Sequence, residues 1–276
     1  MTGSTHRTSA VSLWLGAMIV TALVGIAGFS MLPGGVDPTF IHVAEKLRPP
    51  SSLHWLGTDH LGRDVLGLTM QGAVASLAVA VMAVVIGAGI GVPLGLIAAA
   101  REGWISQAIM RANDFIFAFP ALVIAILLHE TMGAGMLNAM VAIGIFNIPV
   151  FARTAYGRAQ PIWTFDFIRA ARLSGKGDIE IALGHVLPLV MATIIVQATI
   201  QLGLGILAEA GLSYVGLGIV PPTPSWGRML SEAQTLIGVA PRLAIVPGAA
   251  IALTVLGFTL LGDALSERVD PRRRGR

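Results

Sequence analysis

Most residues of this 276-residue chain that could do acid–base, metal-binding or nucleophilic chemistry lie between long apolar runs, and they form no catalytic set. Cysteine is absent, which removes disulfides and thiolate metal ligands. The six histidines show no HExxH spacing, and no Ser/His/Asp set or paired-carboxylate site emerges, so no metal centre is expected. No GxxxxGK[ST] phosphate loop is present either, so this chain is not expected to hydrolyse ATP.

Three groups of polar residues remain. In the first, Gly57 and Gly62 suit tight turns while Asp59, Arg63 and Asp64 can form local ion pairs next to Trp55. This group either braces the mouth of a helical bundle or contacts an external partner. The second group is Asp114 and Glu209, charges near apolar segments that line a polar passage, make buried pairs or sit at an interface. Trp226 reads as an interfacial anchor, and His129 with Glu130 as a helix end. The third is Asp166-Phe167-Ile168-Arg169-Ala170-Ala171-Arg172-Leu173-Ser174-Gly175, where apolar and small residues alternate with cations at the spacing of a short amphipathic helix. Gly175-Lys176-Gly177-Asp178 then predicts a turn, with a second helix over 179–187 and Pro188 opening the next apolar segment. Such a helix–turn–helix either transmits motion from a cytoplasmic partner or lies passively at the interface.

The elements that must carry these groups are membrane helices. The chain is 55% hydrophobic and 12% charged, whereas a soluble domain carries about 25% charged residues. Six apolar segments hold the excess: 11–32, 73–100, 108–128, 135–152, 189–208 and 243–262. About 20 apolar residues span roughly 30 Å of hydrocarbon, so the expected fold is an all-α membrane protein with six transmembrane helices. The first segment has no Ala-x-Ala-like site at its end and is expected to be an uncleaved anchor. The second is longer than an upright crossing needs, which predicts tilt or a helical extension. The third has the weakest boundary, because Arg111, Asn113 and Asp114 occupy its first turns and Pro120 interrupts it. Gly87, Gly91 and Gly95 recur every four residues in the second segment and make a small-residue stripe suited to close helix packing.

Charge orients this ladder. With the N-terminus inside, the internal segments hold Arg7, Arg101, Arg111, Arg153, Arg158, Arg169, Arg172, Lys176, Arg268, Arg272, Arg273, Arg274 and Arg276, leaving five of the 18 Lys and Arg residues outside. The excess of internal cations places both termini in the cytoplasm. The resulting organisation is a cytoplasmic N-terminus at 1–10, a six-helix transmembrane domain at 11–262 with an external segment at 33–70 and an internal loop at 153–188, and a cytoplasmic tail at 263–276. The terminal arginines read as a topology or anionic-lipid signal rather than a nucleic-acid tail.

Arg169-Ala170-Ala171-x-x-x-Gly175, followed after nine residues by His185-Val186-Leu187-Pro188, resembles the EAA coupling loop of bacterial ABC importer permeases. In that family the loop docks into a groove on the ATP-binding subunit. His54-Trp55-Leu56-Gly57-Thr58-Asp59-His60-Leu61-Gly62-Arg63-Asp64 is similar to the external signature of the dipeptide/oligopeptide/nickel branch. Leu212-Ser213-Tyr214-Val215-Gly216-Leu217-Gly218, Pro221-Pro222-Thr223-Pro224-Ser225-Trp226-Gly227 and Leu261-Gly262-Asp263-Ala264-Leu265 ending at Asp270-Pro271 match its later signatures, so the likeness runs over nearly the whole chain. Three positions depart: Arg169 stands where the family often has Glu, and Ser106 and Tyr156 stand where it often has Asp and Arg.

The resemblance implies a type I ABC importer permease bundle in the bacterial cytoplasmic (inner) membrane. It implies a second, unlike permease subunit, two ATP-binding subunits that carry ATP and Mg, and an external solute-binding protein, with no cofactor bound directly to this chain. Arg169, Ala170, Ala171, Gly175, Asp178, His185, Leu187 and Pro188 would couple to the ATPase. Trp55, Asp59, Arg63, Asp64, Glu209 and Trp226 are the external or gating candidates. Dipeptides or oligopeptides are the leading cargo, with nickel or a metallophore as the alternative. A scaffold that recruits a cytoplasmic partner without transport is the rival of a different class.

Overall fold

The computed structural model describes residues 3–32, 38–101 and 103–269. The Asp270-Pro271 end of the last signature and Arg272 to Arg276 lie outside the described residues. So do Asp37 and the first two residues of the expected cytoplasmic N-terminus.

Most of the described residues are helical, and the α-helices run in the order α1 (Gly3–Ser30), α2 (Val65–Ala100), α3 (Trp104–Ala118), α4 (Ala121–Met132), α5 (Met136–Ile162), α6 (Asp166–Leu173), α7 (Asp178–Ile181), α8 (Leu187–Tyr214), α9 (Trp226–Ala233) and α10 (Arg242–Val269). Five of these stretches are long and apolar enough to cross a membrane: 10–30 in α1, all of α2, all of α5, 178–214 through α8, and all of α10. The pair α3–α4, bent by 82°, supplies the sixth. Helices suit this solvent because each satisfies its own backbone hydrogen bonds where water is absent.

Several elements outrun the apolar segments read from the sequence. α1 begins before residue 11, α2 before residue 73, and α5 and α10 continue past residues 152 and 262. Hydropathy marks the stretch that suits lipid, whereas a helix continues into water for as long as its backbone bonds and local charges permit. Residues 65–70, expected in the external segment, are thus the first turns of α2, whose start is capped by Asp64 Oδ2 accepting from the Gly67 N–H at 2.7 Å. The third segment divides at Phe119-Pro120, where Phe119 adopts an extended conformation as residues before proline do.

The centre of the bundle is the contact of α2 with α5. Gly87, Gly91 and Gly95 all face α5 and meet Asn147, Ile148, Phe151, Ala152, Ala155 and Tyr156. A Cβ on Gly91 would lie 2.9 Å from the Phe151 Cβ and 3.0 Å from the Ala152 nitrogen. The expected glycine stripe is therefore a close seam in which the backbone of α2 lies against backbone and Cβ atoms of α5. α8 packs against both helices of this seam, and the hydrogen bond from Gln201 to the Asn147 Oδ1 at 2.8 Å ties it there. α1 lies on the outer side against α10, with Gly16 close to the Gly257 carbonyl and Leu261.

Gly91→Ala is expected to destabilise the detergent-solubilised protein by about 1–3 kcal/mol through overpacking. Gly89→Ala, where an added Cβ meets nothing within 4 Å, should be neutral or mildly stabilising in the same thermal-unfolding measurement.

Candidate functional site

At one end of the bundle the polar residues form a brace. The Asp59 Oδ1 accepts from the backbone N–H groups of Leu61 at 2.8 Å and Arg63 at 2.9 Å, which closes a turn that Gly62 (φ +79°) completes. Arg63 then bridges two carboxylates, with Nε 2.6 Å from the Asp59 Oδ2 and Nη2 2.6 Å from the Glu232 Oε2 in α9. The Arg63 and Asp59 side chains are only 12% and 8% exposed. Burial by itself would lower the Arg63 pKa, but the charges and hydrogen bonds of Asp59 and Glu232 outweigh it and hold the guanidinium above its ordinary value. The stabilisation from a raised cation is complete below the unfolded pKa and fades as pH rises through the folded one, so this contribution is constant through neutral pH.

Asp64, besides capping α2, faces His54 Nδ1 at 3.0 Å, and His54 Nε2 faces Glu45 at 3.3 Å. Arg242, the first residue of α10, donates to the carbonyls of Arg48 at 2.8 Å and Thr58 at 3.2 Å. The segment around Asp59 is thereby fastened to α2, α9 and α10. Of its two sequence-level readings, the described contacts assemble Asp59, Arg63 and Asp64 as the brace. Trp55 is left out of it, 72% exposed.

Beneath the brace lies a buried knot. Glu209 of α8 accepts from the hydroxyls of Ser213 at 2.6 Å and of Ser76 in α2 at 2.7 Å, with the Ser225 hydroxyl as a further donor. The serine oxygens accept in turn from the backbone N–H groups of Ile219 at 2.9 Å and Trp226 at 3.4 Å. One carboxylate thus collects hydrogen bonds from two spanning helices and from the loop that carries α9. Glu209 is fully buried, so in this conformation it takes the buried-contact alternative and lines no passage. Trp226 is also fully buried, and its indole donates to the Thr69 carbonyl at 2.9 Å beside Gly72. The expected interfacial anchor is a core anchor instead, because the helix it starts folds back onto α2 and α8.

At the opposite end, α6 and α7 form the knob. α6 stops in a Schellman arrangement: the Gly175 N–H (φ +85°) bonds the Arg172 carbonyl at 3.0 Å, and the Lys176 N–H bonds the Ala171 carbonyl at 3.2 Å. Ile168, Ala171 and Ile181 are buried against α5 and the start of α8 in one cluster with Ala159, Ile162 and Val186. Asp178 joins the α2 end to α6 through Arg101 at 3.7 Å and Arg172 at 3.5 Å. Arg169 and Ala170 are exposed, as are Leu173 at 90% and Ile179. Arg169, at the position where the resemblance implies Glu, makes a surface pair with Asp166 at 3.3 Å.

The second helix of the knob is not separate. α7 passes through a π turn at Ala182–Val186, which holds His185, into α8, where Leu187 and Pro188 occupy the first positions and proline is tolerated. The α7 and α8 helices are thus the two parts of one span.

Sequence reasoning did not find Glu45, nearby in the chain, or Glu232 and Arg242, which join the brace from far along it. It also gave no hint that donor atoms of Asp59, His60 and Glu232 lie within 4.8 Å of one another. Both carboxylates there already face arginines, Asp59 facing Arg63 and Glu232 facing Arg63 and Arg228. The group is an ionic brace by its charge balance. Only His60, next to Asp59, was locally visible.

The chain is a polytopic helical bundle with a braced cap at one end and an amphipathic knob at the other. The fold is that of the inward-facing MetNI methionine ABC transporter, matched at a TM-score of 0.62 and 19% identity over 74% of this chain and 96% of that one. Residues 91–275 match the model for the binding-protein-dependent transport system inner membrane component, and the chain belongs to that family. It is 46% identical over 260 residues to the glutathione transport system permease protein GsiD of Escherichia coli O6:K15:H31, covering 94% of this chain and 86% of the relative. The GsiD protein of Pectobacterium atrosepticum is 44% identical over 223 residues, 81% of this chain and 74% of that one. The chain is accordingly a permease subunit of an ABC importer.

Arg63→Ala leaves two partly buried carboxylates short of a cation and is expected to cost roughly 3 kcal/mol, read as a lowered unfolding temperature in detergent. Glu209→Ala strands the serine hydroxyls and should cost about 1–3 kcal/mol in the same assay, with protease cleavage in the loop before α9 rising first.

Proposed function

We propose that this chain is one of two unlike permease subunits of an ATP-driven importer for short peptides, with both termini in the cytoplasm. The observation that carries the reading is the knob: a helix fastened to the bundle by Ile168, Ala171 and Ile181, yet presenting Arg169, Leu173 and Ile179 outward. Apolar teeth exposed beyond the span suit a groove on another protein, and the chain's own sequence offers no phosphate loop, so the nucleotide and Mg belong to that partner. The glutathione permeases among its relatives support a peptide cargo, delivered by an external binding protein whose docking lies on the braced face.

In this reading ATP binding draws two ATPase subunits together and displaces the knobs. To move the bundle from 1:99 to 99:1 between access states needs a preference of about 5.5 kcal/mol. Movement of α6 reaches α8 through the unbroken α7 turn, and Asp178 carries it to the end of α2. The brace and the Glu209 knot keep the opposite end assembled while the pathway rearranges.

The test is reconstitution of the paired permeases, ATPases and binding protein in vesicles. ATP-dependent accumulation of a dipeptide or glutathione is expected. Partner recruitment with no accumulation would establish a scaffold instead, and uptake of nickel chelates alone would replace the cargo. Gly175→Val forces a branched residue into a left-handed turn at about 1–2 kcal/mol, and coupled uptake should fall severalfold while the subunit stays in the membrane. Wild-type assembly and uptake from that variant would remove the knob from the mechanism.

A further inference from the structure

The ion pair of Asp114 in α3 with Arg153 in α5 differs from every other described pair near the spans. Arg153 Nη2 lies 2.6 Å from the Asp114 Oδ1, yet the side chains are 41% and 60% exposed. Arg153 sits nine residues, or about 14 Å, before the end of α5, and Asp114 ten residues into α3. Arg153 follows directly on the apolar run 135–152 and Asp114 lies in the first helix of the bent α3–α4 pair, so the two meet at the knob-side end of their spans. A charge presented to acyl chains costs a few kcal/mol or more, and ionisable groups in spans face water or protein for that reason. At that end of the spans the exposed pair faces water or protein rather than acyl chains.

Its surroundings are graded. The Arg153 guanidinium lies 4.6 Å from the centre of the Phe117 ring, and Phe117 stacks on Phe146 at 5.3 Å. From Arg153 toward the knob, Gly157 and Gln160 follow at helical spacing and Thr164 lies in the turn after α5, all exposed. An aromatic wall, a paired cation and anion, and a polar stripe leading to the knob end make a continuous wettable face. The pair also has bonding capacity in reserve, since a guanidinium offers five N–H donors and a carboxylate four acceptor sites, and one contact links them.

We propose that Asp114 and Arg153 form a recognition point for the two charged ends of a zwitterionic peptide passing through the permease. Asp114 takes the ammonium, and the Arg153 fork takes the carboxylate in the two-bond geometry that favours arginine over lysine. The Phe117 ring supplies a flat surface for the peptide body. Exposed ion pairs are worth at most about 1 kcal/mol, so cargo can open the pair and the pair can close behind it. A transport pathway needs that weakness, because a tight site would hold what it should release. This inference rests on the peptide reading above.

The experiment uses the assembled transporter in vesicles and a dipeptide bearing a benzophenone side chain with both ends free. Wild-type transporter must first accumulate the unlabelled parent dipeptide; if it does not, the peptide reading fails before this one is reached. With uptake established, irradiation is expected to label α3 or α5. The free dipeptide should compete about fivefold better than its N-acetylated or C-amidated form, the range of one exposed charge contact. Asp114→Asn should abolish the penalty of N-acetylation and leave that of amidation, and Arg153→Gln the reverse. Labelling confined to other helices, equal competition by free and blocked peptides, or variants that weaken all competitors alike would overturn the assignment. The last outcome would make the pair a contact with the second permease subunit.

Discussion

The approach of α2 to α5 is the constraint on which the rest of the molecule depends. In lipid there is little hydrophobic gain from bringing two apolar helices together, so their association rests on packing contacts and the hydrogen bonds that close approach permits. Glycines at 87, 91 and 95 let the backbone of α2 rest directly on α5. That contact fixes the axis of α5, whose end leads into α6, and the axis of α2, whose two ends carry the brace and Arg101. α8 then fills the remaining face. Polar residues are spent sparingly at this centre, with Asn147 and Gln201 paired to each other.

Polar side chains instead govern the two ends, and they do so differently. The end with the brace is closed by charge: Asp59, Arg63, Glu232 and Arg228 alternate in sign and leave no net charge on the set. Glu209 anchors the returning loop from below by collecting hydroxyl donors. The knob end uses weak, exposed pairs, with Arg169 on Asp166 and Asp178 shared by Arg101 and Arg172. Strong, buried contacts keep one end in a single arrangement, and weak ones leave the other able to exchange partners.

The spanning helices were legible because lipid imposes a simple demand, a long uncharged run, and five of the six runs met it without ambiguity. The glycine stripe was legible for the same reason, since its period of four is a property of one helix. Gly175 was visible as a turn residue, and its left-handed conformation follows from the Schellman ending. What local pattern could not supply was long-range partnership. Glu232 reaches Arg63 across 169 positions of sequence, Gln201 reaches Asn147 across 54, and Ser76 reaches Glu209 across 133. Trp226 was misplaced because an aromatic in a short polar stretch looks interfacial until the loop is seen to fold inward. The knob's second helix was misread because a proline at the start of a helix resembles a boundary, although the chain coils through it.

That continuity has a mechanical meaning. From Asp178 to Tyr214 the chain is one helical rod of 37 residues, about 55 Å long, with the α6 contact at its foot and the Glu209 knot near its head. A rod of this kind has no joint in which to absorb a push. Its one irregular place is the π turn beside the knob, where an extra residue per turn sets the angle at which the foot leaves the shaft. The amplitude of any stroke delivered at the far face is then set within five residues of where it begins.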